Sequence, residues 1–201
     1  MSKTSKVIVE VKTERQMIMY SELWDASYCV LELARQSPED SSWQFLSSIL
    51  LTAFTFEAYQ NHIGPSLFAH WGHLDRLRPL DKFDLIIDRL EINVPNAKSG
   101  RPWQTLRDLF AFRNTIAHGR SKDLKKVEQK TAATYQYREA FDRLLDDWES
   151  RIQNDVFAVR CREDVEVVLR IIHEKLPGKQ EELFTLGLGS HSATVLPQAP
   201  R

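Results

Sequence analysis

The stretch Phe45-Leu46-Ser47-Ser48-Ile49-Leu50-Leu51-Thr52-Ala53-Phe54-Thr55-Phe56-Glu57-Ala58-Tyr59 decides the fold. Drawn as a helix it is apolar on nearly every side, and a helix without a polar face belongs at the centre of a bundle. Its polar exceptions, Glu57 and Asn61, lie four apart and share one face. The spacing predicts a helix over about 41–63, ended by Gly64-Pro65. Upstream, Met17, Tyr20, Trp24, Tyr28 and Leu31 recur at helical spacing and predict a helix from Glu14 to about Gln36. Ser37-Pro38-Glu39-Asp40 stops it and starts the next, because proline and acids suit a first turn.

Downstream, Phe83, Ile86, Ile87 and Leu90 form a further helical stripe, and Asn93 to Gly100 form a break. A helix is predicted from about Pro102 to His118, with Gly119 as a suitable cap. Tyr137, Phe141, Leu144, Leu145, Trp148 and Ile152 predict the longest amphipathic helix. Val7 to Lys12 reads as a short strand, Val156 to Val159 as another, and Val165 to Leu176 as a last helix. The chain thus divides into an extension (1–13), a helical bundle (14–153), a strand and helix extension (154–178) and a flexible tail (179–201). At least Gly187 to Arg201 is expected to be disordered. The fold class is all-α, a bundle of about five to seven helices with short terminal strands.

Composition agrees with that reading. Only 7 Gly and 8 Pro in 201 residues argue against a loop-rich β protein. The formal charge of -1 means that any nucleic-acid face must come from local clustering. Cys29 and Cys161 form no CxxC pair, which excludes a disulfide scaffold and a zinc ribbon and fits a reducing compartment. Cys29, among apolar helix residues, reads as a small core hydrophobe. No signal peptide or membrane span is evident, so a soluble cytoplasmic protein with no membrane partner is expected.

The chemistry is concentrated in Leu106-Arg107-Asp108-Leu109-Phe110-Ala111-Phe112-Arg113-Asn114-Thr115-Ile116-Ala117-His118-Gly119. Leu106, Leu109, Phe110, Ile116 and Ala117 make the apolar stripe, and Arg113 interrupts it on the core side. A guanidinium there must be paired or must face a wet groove. Asn114 and His118, four apart, differ by only about 40° around the helix axis and can act on one ligand. One stretch offers a permanently charged fork, an amide and a titratable imidazole. Arg101, Arg107, Arg113, Arg120, Lys122, Lys125, Lys126 and Lys130 face only Asp108, Asp123 and Glu128 over residues 101–130. Arg120, Lys122, Lys125 and Lys126 are accordingly the candidate RNA track, salt-sensitive and largely blind to sequence.

Arg113-Asn114-Thr115-Ile116-Ala117-His118 resembles the R-x4-H signature of HEPN domains, in the form with a polar residue after the arginine. Glu57-Ala58-Tyr59-Gln60-Asn61 is similar to the Glu-Ala-x-x-Asn stretch on the second core helix of many bacterial HEPN proteins. The likeness covers roughly Glu14 to Trp148. It implies an all-α HEPN-like bundle, often dimeric, with metal-independent RNA cleavage in active members and no cofactor. The 2'-hydroxyl attacks the adjacent phosphodiester and leaves a cyclic phosphate. On this reading Arg113, Asn114 and His118 are catalytic. Arg113 stabilises the phosphorane, Asn114 orients His118 or the phosphate, and two His118 side chains in a homodimer supply acid and base. Glu57 and Asn61 support the site, Glu57 by holding Arg113. Implied partners are RNA, a second copy and an antitoxin or regulatory protein, in a toxin–antitoxin or phage-defence setting.

Two plainer readings stand beside this one. Arg113 and His118 form a structural polar cluster, the arginine on Glu57 and the histidine capping carbonyls; or the chain is a non-catalytic module that binds RNA, nucleotide or protein. His62, His70 and His73 lack the partners of a known metal motif, so no metal site is expected. The five tryptophans fall in five segments and read as core and interface rather than as a base-stacking platform.

Overall fold

The computed structural model describes residues 7–94, 100–128, 143–178 and 182–196. Among them the elements run β1 (Val9–Arg15), α1 (Met19–Gln36), a 3-10 turn (Pro38–Asp40), α2 (Ser42–Leu67), α3 (Trp71–Leu74), α4 (Pro79–Arg89), α5 (Trp103–Ala117), α6 (Asp147–Arg151), α7 (Val156–Lys175) and β2 (Gly189–Val195). The chain is a mostly helical bundle with a small two-stranded sheet. No helix among the described residues is long and apolar enough to cross a membrane.

α2 is the hub, as its apolar circumference demands. It packs against α1, α3, α4, α5 and α7. Phe45, Ile49, Ala53, Phe56 and Tyr59 of α2 are fully enclosed, as are Val165, Val168, Leu169 and Ile172 of α7. The Phe56 ring meets Phe83 of α4 at 5.5 Å and Phe110 of α5 at 5.7 Å. Each such aromatic pair adds about 0.5–1.5 kcal/mol beyond its buried area.

A polar clamp sets the register of α5 on α7. Asp164, only 5% exposed, accepts from Arg101 Nε at 2.8 Å, Arg101 Nη2 at 2.9 Å and Thr105 Oγ1 at 2.5 Å. Arg160 donates to Thr105 Oγ1 at 2.9 Å and to Asp108 Oδ2 at 2.6 Å. A buried carboxylate is tolerated only when its oxygens are filled in this way.

Several local expectations give way to longer-range packing. α2 does not end at Gly64-Pro65 but runs on to Leu67. Gly64 has no Cβ for the proline ring to strike, and buried Ile63 and Leu67 hold the last turn down. Residues 156–159 are the first turn of α7 rather than a strand, because Phe157, Ala158, Cys161 and Val165 bury one helical face. α1 starts at Met19, since Glu14 and Arg15 belong to β1. β1 pairs antiparallel with β2, Val9 opposite Val195 and Arg15 opposite Gly189, so the tail expected to be disordered from Gly187 carries a strand. Of the long helix expected through Tyr137 to Ile152, the described residues from 143 on hold α6, which starts where Asp146 and Glu149 make a capping box. Tyr137 and Phe141 lie outside the described residues. Cys29 is exposed and Cys161 is the buried thiol.

Gly64 provides a test of this packing. A Cβ there would lie far closer to the Trp71 ring, itself buried, than van der Waals contact allows. Alanine normally favours a helix over glycine by about 1 kcal/mol. Gly64→Ala is instead expected to destabilise by about 1–3 kcal/mol, the usual penalty of overpacking, read as a lower denaturation midpoint. A midpoint that rises would remove the close approach of Trp71.

Candidate active site

The last turns of α5 leave the core. Leu106, Leu109, Phe110 and Phe112 are buried, Arg113 and Ile116 are half-buried, and Asn114, Ala117 and His118 are exposed. Ala117 was expected on the apolar stripe and is not; Phe112 takes a core place instead, against Phe157 at 5.6 Å. His118 is the C-cap residue, its backbone N–H donating to the Asn114 carbonyl at 2.9 Å. Its imidazole makes no hydrogen bond to a described residue, so it does not cap the helix carbonyls. Asn114 Oδ1 accepts from Arg113 Nη1 at 3.1 Å, so the amide orients the guanidinium and not the imidazole. The Arg113 guanidinium also lies 5.9 Å from the exposed Phe54 ring of α2.

Behind Arg113 sits Glu57. Its Oε2 faces Arg113 Nη2 at 3.5 Å, the expected pairing, while its Oε1 faces Lys82 Nζ at 3.4 Å. The Arg113 and Glu57 side chains are 24% and 27% exposed, so this pair sits at the wall of the bundle rather than at its centre. The buried charge is Lys82, at 0%. Its three N–H donors meet Asn61 Oδ1 at 2.9 Å, the Asp75 carbonyl at 3.3 Å and Glu57, which satisfies the ammonium completely. Asn61 therefore serves Lys82, and reaches Arg113 only through Lys82 and Glu57. One carboxylate bridges a buried cation and a cation that opens to solvent.

His118 opens onto a groove of about 470 Å³, with Arg120, Lys122, Leu124, Trp148 and Glu149 among its walls. Arg120, Lys122, Lys125 and Lys126 are all exposed. They are not equally available: Lys122 is paired with Asp146 at 2.5 Å and Lys126 with Glu128 at 2.5 Å. No group of three or more His, Cys, Asp or Glu residues arranged to hold a metal ion occurs among the described residues. His62 packs on Tyr20 instead, ring centroids 5.0 Å apart.

Comparison with known proteins adds no assignment. No protein-family model, no curated protein and no solved structure matches this chain. What it can do rests on its own side chains.

Two residues beside the site escaped sequence reasoning. Lys82 stands four before Ile86, on the stripe recognised through Phe83, Ile86 and Leu90, and extending that stripe one turn back would have placed it inside. Trp148 carried only a hydrophobic signal, yet it lines the same groove as His118.

The Lys122–Asp146 pair makes a pH prediction. The Lys122 hydrogen bond, aided by the Asp147 backbone N–H, holds the Asp146 carboxyl below its ordinary value despite partial desolvation. A depressed folded-state value means stability present above about pH 4 and lost as pH falls further. In Lys122→Ala the Asp146 midpoint, followed by carboxyl NMR, is expected to move up toward the ordinary range. An unmoved midpoint would show that the lysine is not the cause.

Proposed function

We propose that this protein is a metal-independent endoribonuclease of the HEPN kind, cleaving RNA by 2'-hydroxyl attack on the adjacent phosphodiester. One observation carries the reading. Arg113 is anchored from behind by Glu57 and steadied by Asn114, while the imidazole of His118, without a hydrogen bond to any described residue, opens from the same helix end onto a groove with Arg120 and Lys122 in its wall. Arg113 would brace the non-bridging oxygens of the phosphorane, an interaction that a planar fork makes bidentately. His118 would move the proton at the attacking or the leaving oxygen. Asn114 is a positioning residue for Arg113. One imidazole cannot readily serve both oxygens in one step, so we propose a two-fold dimer that turns two His118 side chains into one cleft. A growth-inhibiting toxin or phage-defence role, held in check by an antitoxin or regulatory protein, is the setting that the HEPN resemblance supports.

The test is purified protein with single-stranded RNA in excess EDTA, followed by analysis of the ends. Cyclic phosphate and 5'-hydroxyl ends are expected. Activity abolished by chelation and restored by Mg²⁺ or Mn²⁺ would overturn the mechanism. A full cleavage rate from a monomer, checked by sedimentation, would overturn the shared cleft.

The ion pairs make a further prediction about affinity. Lys122 and Lys126 already neutralise carboxylates, whereas Arg120 and Lys125 carry no ion pair to a described residue. Arg120→Ala with Lys125→Ala is therefore expected to weaken RNA binding more than Lys122→Ala with Lys126→Ala. It should also flatten the salt dependence by up to about one unit of log–log slope per charge. Equal effects would mean that the ion pairs open on binding.

The second reading, a non-catalytic binding module, is favoured by a single fact: Arg113 already has partners in Glu57 and Asn114. It predicts RNA affinity without cleavage and no growth effect on expression.

A further inference from the structure

Trp43, the second residue of α2, is 64% exposed, an unusual position for an indole. Its ring centroid lies 6.5 Å from that of Trp148, at 38° between planes. Trp148 is half-buried and forms a wall of the groove that holds His118, Arg120 and Lys122, with the exposed side chain of Leu124 beside them. Cations for phosphate, an imidazole for the reacting oxygen and the Trp148 indole thus meet in one groove of about 470 Å³, within the range of small-ligand sites, and Trp43 lies beside Trp148 next to that groove.

We propose that Trp148 and Trp43 form a base-stacking subsite that takes an unpaired nucleotide of single-stranded RNA beside the phosphate held at His118. The proposal rests on the ribonuclease reading and names its substrate: RNA with splayed bases, not a duplex. Unpaired bases are recognised by stacking on aromatic rings while cations follow the backbone. A duplex would keep its bases away from the indoles. Arg120, which carries no ion pair to a described residue, is the cation in the groove wall open to a backbone phosphate, while Lys122 is held by Asp146. Stacking tolerates any base, so the subsite selects unpaired structure first and base identity weakly.

The test separates binding from cleavage by using a short 2'-O-methyl oligouridylate, which has no free 2'-hydroxyl to attack. Fluorescence anisotropy is expected to show affinity reduced about 5- to 150-fold in Trp148→Ala and reduced in Trp43→Ala, with Trp148→Phe retaining most of it. Trp43 is a surface residue, so its variant keeps the test valid even if Trp148→Ala misfolds. An abasic strand of the same backbone should bind wild type and both variants alike, and the bases should quench the intrinsic tryptophan fluorescence of wild type. No binding by wild type, or equal affinity in Trp43→Ala and a folded Trp148 variant, overturns the subsite. So does a change of sedimentation in Trp43→Ala with oligonucleotide affinity unaltered, which would make the indoles an interface between copies. Tryptophan-dependent binding in a protein that never cleaves RNA would leave the subsite standing and remove the ribonuclease reading alone.

Discussion

Arg113→Lys is expected to lower RNA cleavage by a factor of about 10²–10³ while the melting temperature stays where it is. The factor is what removal of one transition-state donor typically brings. Lysine keeps the positive charge facing Glu57, an ion pair at 3.5 Å that makes no demand on guanidinium geometry. What it loses is the planar fork able to span two phosphate oxygens, together with the bond to Asn114. His118→Ala should act alike on cleavage. Its imidazole is exposed and makes no hydrogen bond to a described residue, so the substitution should change stability by no more than about 0.5 kcal/mol. The two readouts belong together. If both variants melt several degrees lower and cleavage follows only the folded fraction, Arg113 and His118 are structural and the nuclease assignment fails.

What the sequence made legible was what neighbouring residues determine. The 3.6-residue pattern of α2 and α5 lies within single segments, and so does the Arg113–His118 spacing. Glu57 opposite Arg113 was readable only because both stand on strongly patterned helices. The failures share a cause, which is that the deciding partner lies far along the chain. β2 reads as a Ser- and Gly-rich tail until β1, some 180 positions earlier, is laid beside it. Residues 156–159 read as a strand until α2 and α5 bury one helical face of α7. A lysine reads as solvated until three oxygens from α2 and the end of α3 converge on it. Trp148 reads as core until the groove beside His118 is assembled around it. Local periodicity places the catalytic candidates on their helix. It does not say what stands behind them or in front of them.

Lys82 gives the largest expected effect on stability. Glu57→Ala removes the carboxylate from an ammonium that is 0% exposed and leaves it only Asn61 Oδ1 and the Asp75 carbonyl. Breaking a buried pair by deleting one partner costs about 3–5 kcal/mol. Glu57 itself is 27% exposed, so water screens part of the interaction and the loss should fall near about 3 kcal/mol. For a chain of this size that is a drop of about 6–12 °C in melting temperature. Lys82→Met tests the cause, because it removes the charge and keeps an unbranched apolar stem of similar length. The groups it leaves are not stranded, because Glu57 is partly exposed and still faces Arg113 and Asn61 is exposed to water, so this single change should cost about 1 kcal/mol or less. Glu57→Ala placed on the Lys82→Met background should then lose little or nothing further, a coupling of about 2–3 kcal/mol. Additive losses would mean that Glu57 does not stabilise Lys82. The same cycle also separates folding from chemistry at Arg113. Glu57→Ala/Lys82→Met should recover most of its melting temperature but not its cleavage, because the guanidinium has still lost the carboxylate behind it. Recovery of both would show that Glu57 acts on Arg113 only by keeping the bundle folded.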